Sequence, residues 1–329
     1  MTILQAGEMA PRLLERRSND HLPKSSDVAI PLEMLQKHQA SFLALLAISL
    51  LVGWRPLIET IALSRQNDEY THILLILPIS GVLVLVDRPL WQAESVWDFL
   101  RGSALLLTAV TIVCSTRFWP SSLTSDMHLA IRMSALVLSW IGMFVLCFGP
   151  KASRSLIFPL LLLFGLVPFP RVALGLVITL LQEGSAWSAH AFFAAFGVPV
   201  LQQGVLLAIP GLTLQIAQEC SSIRSSSMLM VTSMVMAQVL LKSPWRKALV
   251  IGLAIPLSVV KNGLRIFTIA MLGTRVDPGF LTGELHHQGG ILFLTIALFG
   301  VFLLLWILRR GEIRGSRTRI TQTTPKEQD

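Results

Sequence analysis

Three short runs in the second half of the chain carry residue types that can do nucleophilic chemistry. The run 218–224 contains Cys220, Arg265 lies inside the next apolar segment, and His286 and His287 precede the last one. A thiolate is a nucleophile, a guanidinium can hold a developing oxyanion, and an imidazole moves protons near neutral pH. Because the three types recur at neighbouring membrane boundaries, we look for the chemistry there.

Each of these residues also has an ordinary structural explanation. Cys220 could be a small packing residue, Arg224 could reach toward lipid headgroups, and histidines are common in surface loops. Arg265 is harder to dismiss, because an ionisable residue inside a membrane helix indicates function by default. Lys261 lies four residues earlier on the same helix face, where two like charges repel unless a polar cavity or an anion receives them.

The composition identifies an integral membrane protein. Of the 329 residues, 53% are hydrophobic and only 14% are charged, against roughly one quarter charged in soluble domains. The net charge of +8 comes from basic residues scattered between apolar runs and gathered near the C terminus. This distribution indicates cytoplasmic anchors and no nucleic-acid site. Cys114 and Cys147 lie within apolar segments, which leaves Cys220 as the only cysteine in a polar setting.

Apolar segments long enough to cross a bilayer, about 20 residues each, recur along the chain. We predict an all-α polytopic membrane protein with about eight transmembrane helices. The predicted spans are residues 40–60, 72–87, 102–118, 129–149, 154–170, 221–241, 248–273 and 289–308. The stretch 172–196 is interrupted by Gln182, Glu183 and His190, and a charge at mid-bilayer is costly. We therefore predict an interfacial or partly inserted helix there.

The basic residues of the connections set the predicted orientation. Lysine and arginine stay on the cytoplasmic side, and they cluster in residues 151–154, 242–247 and 309–319. We predict a cytoplasmic N-terminal tail (1–38), a membrane domain (39–309) and a basic cytoplasmic C-terminal tail (310–329). Cys220, Arg265 and His286 then share the outer face.

Between residues 197 and 218 the pattern changes from helical to short alternating pieces. Residues 198–201, 205–209 and 212–216 are predicted strands, because Gly204 and Pro210-Gly211 mark turns between them. We predict a small β element on the outer face that leads into the Cys220 helix. A helix that begins near residue 219 places Cys220 in its first turn, where the helix dipole lowers a thiol pKa.

The motifs and their order resemble those of the exosortase and archaeosortase family of membrane cysteine transpeptidases. The matching runs are Cys220-Ser221-Ser222-Ile223-Arg224 for the cysteine motif, Asn262-Gly263-Leu264-Arg265 for the arginine motif, and His286-His287-Gln288-Gly289-Gly290 for the histidine motif. Tyr70-Thr71-His72 resembles a further family stretch. His286 has the family's four-residue spacing to Gly290, and His287 is the alternative.

The resemblance implies that Cys220, Arg265 and His286 are catalytic, with Glu219, Arg224, Asn262 and His287 as supporting or substrate-binding residues. Cys220 would form a thioester with a substrate backbone carbonyl, Arg265 would hold the carbonyl oxygen, and His286 would move the proton. No cofactor or metal is implied. The histidines also form no His-x-x-x-His pair and no Cys-x-x-Cys pair occurs.

The implied partners are the lipid bilayer and membrane-anchored proteins that carry a C-terminal sorting signal. In the family such a signal is a short motif such as Pro-Glu-Pro, one membrane helix and a basic tail, and it is often associated with exopolysaccharide production. The implied location is the cell membrane, in a bacterium the inner membrane, with the active site on the outer face.

Two rival functions belong to other classes. A transporter or channel would use Lys261, Arg265 and the outer histidines for an anionic solute or for protons. A non-catalytic scaffold for assembly or polysaccharide export would leave the thiol incidental. Replacing Cys220 with alanine separates the three, since only the enzyme loses its activity.

Overall fold

The computed structural model is a bundle of helices with one small sheet. It describes residues 32–87, 95–116, 118, 124–216, 223–281 and 284–323, with only the backbone for 32, 34, 284–289 and 315–323. The helices are α1 (Leu32–Val52), α2 (Trp54–Gln66), α3 (Ile73–Val86), α4 (Phe99–Ser115), α5 (Ser125–Ser155), α6 (Ile157–Leu162), α7 (Arg171–Ala195), α8 (Ile223–Leu240), α9 (Pro244–Arg275) and α10 (Glu284–Thr323). Three 3-10 helices lie at Asp68–Tyr70, Leu163–Leu166 and Pro278–Leu281.

Helices α8 and α9 form an antiparallel pair that defines the two ends of the bundle. Ser258 Oγ donates to Ser226 Oγ at 2.5 Å near the start of α8, and Lys247 Nζ donates to Gln238 Oε1 at 2.8 Å near its end. We call the end where α8 begins the upper end and the other the lower end. Since α9 has 32 residues and α8 has 18, the last residues of α9 extend above the start of α8.

Helix α5 also begins at the upper end, and its neighbours run against it. The Asp126 carboxylate accepts the backbone N–H of Arg171 at 2.7 Å, and Tyr70 Oη donates to the carbonyl oxygen of Phe169 at 2.8 Å. At the lower end, the His38 imidazole bonds the carbonyl oxygen of Cys147 at 2.5 Å, so α1 rises antiparallel to α5. Helix α1 ends at Val52, and α2 completes that rise.

The segment from Ile157 to Pro170 also rises from the lower to the upper end. It pairs with α3, because Ser80 Oγ donates to the Pro159 carbonyl oxygen at 3.1 Å. Its helical part, Ile157–Leu166, spans only about 17 Å at 1.5 and 2.0 Å per residue. Residues 167–170 add up to about 13 Å of non-helical chain. The predicted span 154–170 therefore makes a crossing in which only part is α-helix.

Helix α7 begins beside the start of α5 and packs along α9. By length and composition it is one of seven helices in the described residues that could cross a membrane. Its first residue, Arg171, meets Asp126 at the upper end, while Phe193 near its last turn contacts Phe267, which lies above the start of α8. Both ends thus meet the same end of the bundle. The prediction of an interfacial or partly inserted helix stays a prediction.

Within the described residues the chain passes eight times between the two ends. The passes are α1 with α2, α3, α4, α5, Ile157–Pro170, α8, α9 and α10. The predicted fold class, an all-α polytopic membrane protein of about eight helices, is confirmed. The helical bounds differ at the termini: α1 begins at Leu32, inside the predicted tail 1–38, and α10 continues to Thr323, inside the predicted tail 310–329.

The predicted β element is confirmed as a three-stranded antiparallel sheet of order β1-β2-β3. The strands are β1 (Leu201–Gln203), β2 (Leu206–Ile209) and β3 (Leu212–Gln215). The prediction for the first strand, residues 198–201, is wrong by three positions, because Pro199 has no backbone N–H to pair with β2. Gly204 and Gly211 close the two turns with φ of 59° and 83°, a region that favours glycine.

Close packing of α4 on α5 gives a stability prediction. A Cβ atom on Gly102 would lie 2.4 Å from the Leu146 Cβ, whereas a Cβ on Gly81 would have no atom within 4 Å. We expect Gly102→Ala to lower the free energy of unfolding by about 1–3 kcal/mol, since the helices must separate. Gly81→Ala, on α3, is the control and should not lower it. Thermal unfolding in detergent measures both, and equal midpoints would contradict the packing argument.

Candidate active site

A cavity of about 210 Å³ opens at the upper end, where the sheet faces the last turns of α9. Its walls come from three separate parts of the chain: β3 with the residue after it, α9, and the 3-10 helix before α10. The lining residues are Leu212, Leu214, Gln215, Ile216, Arg265, Ile266, Ile269, Ala270 and Leu281. Arg265 is the only charged residue in this lining, so a mostly apolar cavity presents one guanidinium.

The sheet holds its side of the cavity through the hairpin between β2 and β3. The turn at Pro210-Gly211 reverses the chain, so Leu212 pairs with Ile209 and Leu214 with Leu207. Leu207 is fully buried in an apolar cluster with Phe193 and Phe267, which anchors the sheet on α7 and α9. Beyond β3, the carbonyl oxygen of Ile216 accepts a hydrogen bond from Gln182 Nε2 of α7 at 3.0 Å.

The opposite wall depends on Gly273. The Leu281 side chain lies where a Cβ of Gly273 would be, with the Leu281 Cγ 2.5 Å from that position. Only glycine at 273 lets the 3-10 helix Pro278–Leu281 come this close to α9. As a result, Leu281, five residues before His286 in the chain, lines the same cavity as Arg265.

The predicted catalytic residues stand as follows. Cys220 and Glu219 lie outside the described residues, but Ile216, four residues before Cys220, lines the cavity, and α8 begins three residues after it. His286 and His287 belong to the first turn of α10, of which the backbone is described. The described flanks of the cysteine and histidine motifs therefore meet at the cavity that contains Arg265.

Two predicted supporting residues have partners away from the cavity lining. Arg224, the second residue of α8, is exposed and donates from Nη1 to Asp68 Oδ1 at 2.9 Å. Asn262 is buried and donates from Nδ2 to Ser185 Oγ of α7 at 2.8 Å. Arg224 thus ties α8 to the 3-10 helix Asp68–Tyr70, and Asn262 ties α9 to α7.

The resemblance noted at Tyr70 and His72 also falls at the upper end. Tyr70 is 5% exposed and belongs to the main apolar cluster, on which Ile223 of α8 also packs. Its hydroxyl holds the Phe169 carbonyl. Tyr70 and the first residue of α8 therefore belong to the same apolar cluster.

A buried polar layer below the cavity was only partly foreseen from the sequence. Lys261 is 4% exposed, and its ammonium donates to Ser225 Oγ in the first turn of α8. The expected polar surroundings for Lys261 are present, but Ser225 and Ser185 were not singled out. The sequence did contain a signal for Ser225: the run of three serines at 225–227 carries more hydroxyl groups than an apolar helix face would.

Comparison with protein-family models shows which family this chain belongs to. A family model described as "Transmembrane exosortase" matches residues 64–303, well over half of the chain. The chain belongs to the transmembrane exosortase family. Comparison with curated proteins and with solved structures gave no match.

The match in this exosortase extends from α2 into α10 and includes every element that forms the cavity. It also contains the three motifs, around Cys220, Arg265 and His286. The resemblance inferred from those motifs is thereby confirmed at the level of the family. The segments outside the match are α1, most of α2, the end of α10 and the two chain ends.

Proposed function

We propose that this exosortase is a membrane cysteine peptidase and transpeptidase that cleaves the C-terminal sorting signal of exported proteins. Cys220 is the proposed nucleophile, Arg265 the group that holds the carbonyl oxygen, and His286 the proton carrier, with His287 as the alternative. The observation that carries the proposal is the cavity at the upper end. Arg265 shares it with Ile216, on the way to Cys220, and with Leu281, on the way to His286.

The proposed reaction begins with attack of the Cys220 thiolate on a substrate backbone carbonyl. A carbon–sulfur bond forms, the carbon–nitrogen bond breaks, and the leaving amine takes a proton from the His286 imidazolium. The product is a thioester between Cys220 and the exported part of the substrate. Water or an amine then attacks the thioester while the imidazole takes its proton. The carbon–sulfur bond breaks, which regenerates the Cys220 thiolate and the His286 imidazolium.

Arg265 fits the oxyanion role because it is the one charged side chain among the described residues that line a largely apolar cavity. Charge-assisted hydrogen bonds to an oxyanion are strong where water is scarce. The apolar walls from Leu214, Ile269 and Leu281 keep the surroundings water-poor. Supporting roles remain for Arg224, Asn262 and Glu219: Arg224 and Asn262 hold α8 and α9 through Asp68 and Ser185, and Glu219 adjoins the nucleophile in the sequence.

The proposed substrate carries a short motif, one membrane helix and a basic tail. Such a helix would lie in the bilayer beside the bundle, so the motif would reach the upper end and the tail the lower end. The lower end carries Lys242, Arg246 and Lys247, which supports a cytoplasmic lower end and tails, and an outer upper end. In a bacterium this membrane would be the inner membrane.

The test compares cells that carry this gene with cells from which it has been deleted. Mass spectrometry reads the C termini of all proteins that end in a short motif, one apolar helix and a basic tail. We expect these proteins to end before the helix in the first cells and to keep it in the second. Identical C termini in both would contradict the proposal and favour a transporter or a scaffold.

A further inference from the structure

Lys261 is a buried cation in the polar layer below the cavity. Among the described residues it is the only buried lysine or arginine, at 4% exposure. No ion pair between described residues includes it. Its ammonium instead donates to Ser225 Oγ. A buried ammonium held by a neutral hydroxyl is costly, so the position calls for an explanation other than stability.

Ser225 connects Lys261 to the segment that carries Cys220. It is the third residue of α8 and follows Cys220 by five positions. The neighbouring contacts, Ser226 to Ser258 and Asn262 to Ser185, join α7, α8 and α9 at the same depth. Arg265 lies one helical turn above Lys261 on α9. The Lys261–Ser225 contact therefore fixes the start of α8 relative to the helix that carries Arg265.

The charges around Lys261 leave it as a net positive centre. The titratable residues on the elements packed around it are Arg246, Lys247, Arg265 and Arg275 on α9, Arg224 on α8 with Asp68 bound to it, and Arg171, Glu183 and His190 on α7. Among the described side chains of α10 there is none before Arg309. Glu183 is exposed, and Asp68 is paired with Arg224. No described carboxylate thus neutralises the ammonium where it contacts α8.

We propose that Lys261 is a positioning residue that, through Ser225, orients the start of α8 and favours the thiolate form of Cys220. This role rests on the proposed function, in which Cys220 is the nucleophile. The effect of Lys261 on the thiol can nevertheless be measured without a substrate. A cation in contact with the first turn of α8 adds to the positive end of the helix dipole. Both favour a negative charge on the segment that leads into the helix.

The first test measures the alkylation of Cys220 by iodoacetamide in the full-length protein in membranes. The Cys220 peptide is quantified by mass spectrometry from about pH 6 to about pH 10. Since only the thiolate reacts, a raised thiol pKa moves the midpoint of the rate to higher pH. We expect Lys261→Met to raise the midpoint by about one unit, which lowers the rate near neutral pH about tenfold. Lys261→Arg should keep the midpoint closer to that of the wild type, because it keeps the positive charge.

Matched serine variants show whether the effect passes through Ser225. Ser225→Ala should raise the midpoint too, and adding it to Lys261→Met should have little further effect. Ser227→Ala is the control, because Ser227 Oγ donates at 2.8 Å to Ile223 of its own helix. It should leave the midpoint unchanged.

Thermal stability separates positioning from simple packing. Removal of a buried ammonium that pairs with no carboxylate among the described residues should leave the unfolding midpoint unchanged or raise it. Lower stability of Lys261→Met with an unchanged alkylation midpoint would overturn the proposal. If the midpoint shifts but no protein loses its sorting signal in cells, the proposed function fails and the role of Lys261 stands.

Discussion

Replacement of Cys220 with alanine is expected to abolish removal of the sorting signal. The proposed reaction needs the Cys220 Sγ to form the thioester, and alanine offers no nucleophile. Loss of the nucleophile in enzymes of this kind lowers turnover by at least about a thousandfold. The measurement is the fraction of substrate that keeps its membrane helix, read by intact mass in deletion cells complemented with each variant.

Two further variants make the Cys220 result specific. Cys114 is an exposed cysteine on α4, so Cys114→Ala controls for loss of a thiol and should process normally. Cys220→Ser keeps the size of the side chain but replaces a thiolate by a hydroxyl that is hardly ionised, and it should process far less than wild type. Processing by Cys220→Ala at half the wild-type rate or more would disprove the thioester mechanism.

The eight passes could be predicted because their apolar residues are continuous in the sequence. The sequence did not predict that the pass ending at Pro170 would be only partly α-helical. Its α-helix covers only Ile157–Leu162, and the remaining height comes from a 3-10 turn and a segment broken by Pro168 and Pro170. The hydropathy of the sequence shows that such a segment is apolar, but it does not show how far each residue advances the chain along the bundle axis.

The polar contacts of α7 could be predicted only in part. Gln182 finds the carbonyl oxygen of Ile216, and Ser185 finds Asn262. Those partners lie in distant parts of the chain, so the sequence indicated a helix with one polar side but not what that side would contact. By length and apolar composition α7 could itself cross a membrane.

The sequence predicted a common end for the three motifs, and Arg265 lies there with the described flanks of the other two, but the cavity was not predictable. The number of crossings placed the cysteine, arginine and histidine motifs at one end of the bundle. The cavity also needs the close approach of Leu281 to Gly273 and the hairpin at Gly211. Similarly, the sequence grouped Asn262 with Arg265, yet the turn of the helix between them directs Asn262 toward α7.

The role proposed for Arg265 is one that a lysine ammonium could not easily fill. The guanidinium can give two parallel hydrogen bonds to an oxygen that is developing charge, while an ammonium acts as a point charge. The Arg265 cavity is otherwise lined by aliphatic side chains and the amide of Gln215. With no other cation among the described residues of that lining, the proposed stabilisation of an oxyanion there depends on Arg265.

Arg265→Met is therefore expected to slow processing by about 10²–10³-fold, the loss seen when a single oxyanion donor is removed. Arg265→Lys should recover little of the rate, because the lysine side chain cannot reproduce the paired hydrogen bonds. Arg275→Met, an exposed arginine in the last turn of the same helix, is the control and should process normally. The rate of appearance of the shortened substrate, at equal amounts of folded enzyme, gives the ratio. A rate for Arg265→Met within twofold of wild type would mean that another group holds the carbonyl oxygen. A large loss of rate in both Arg265→Met and Arg275→Met would indicate a general effect of positive charge on α9.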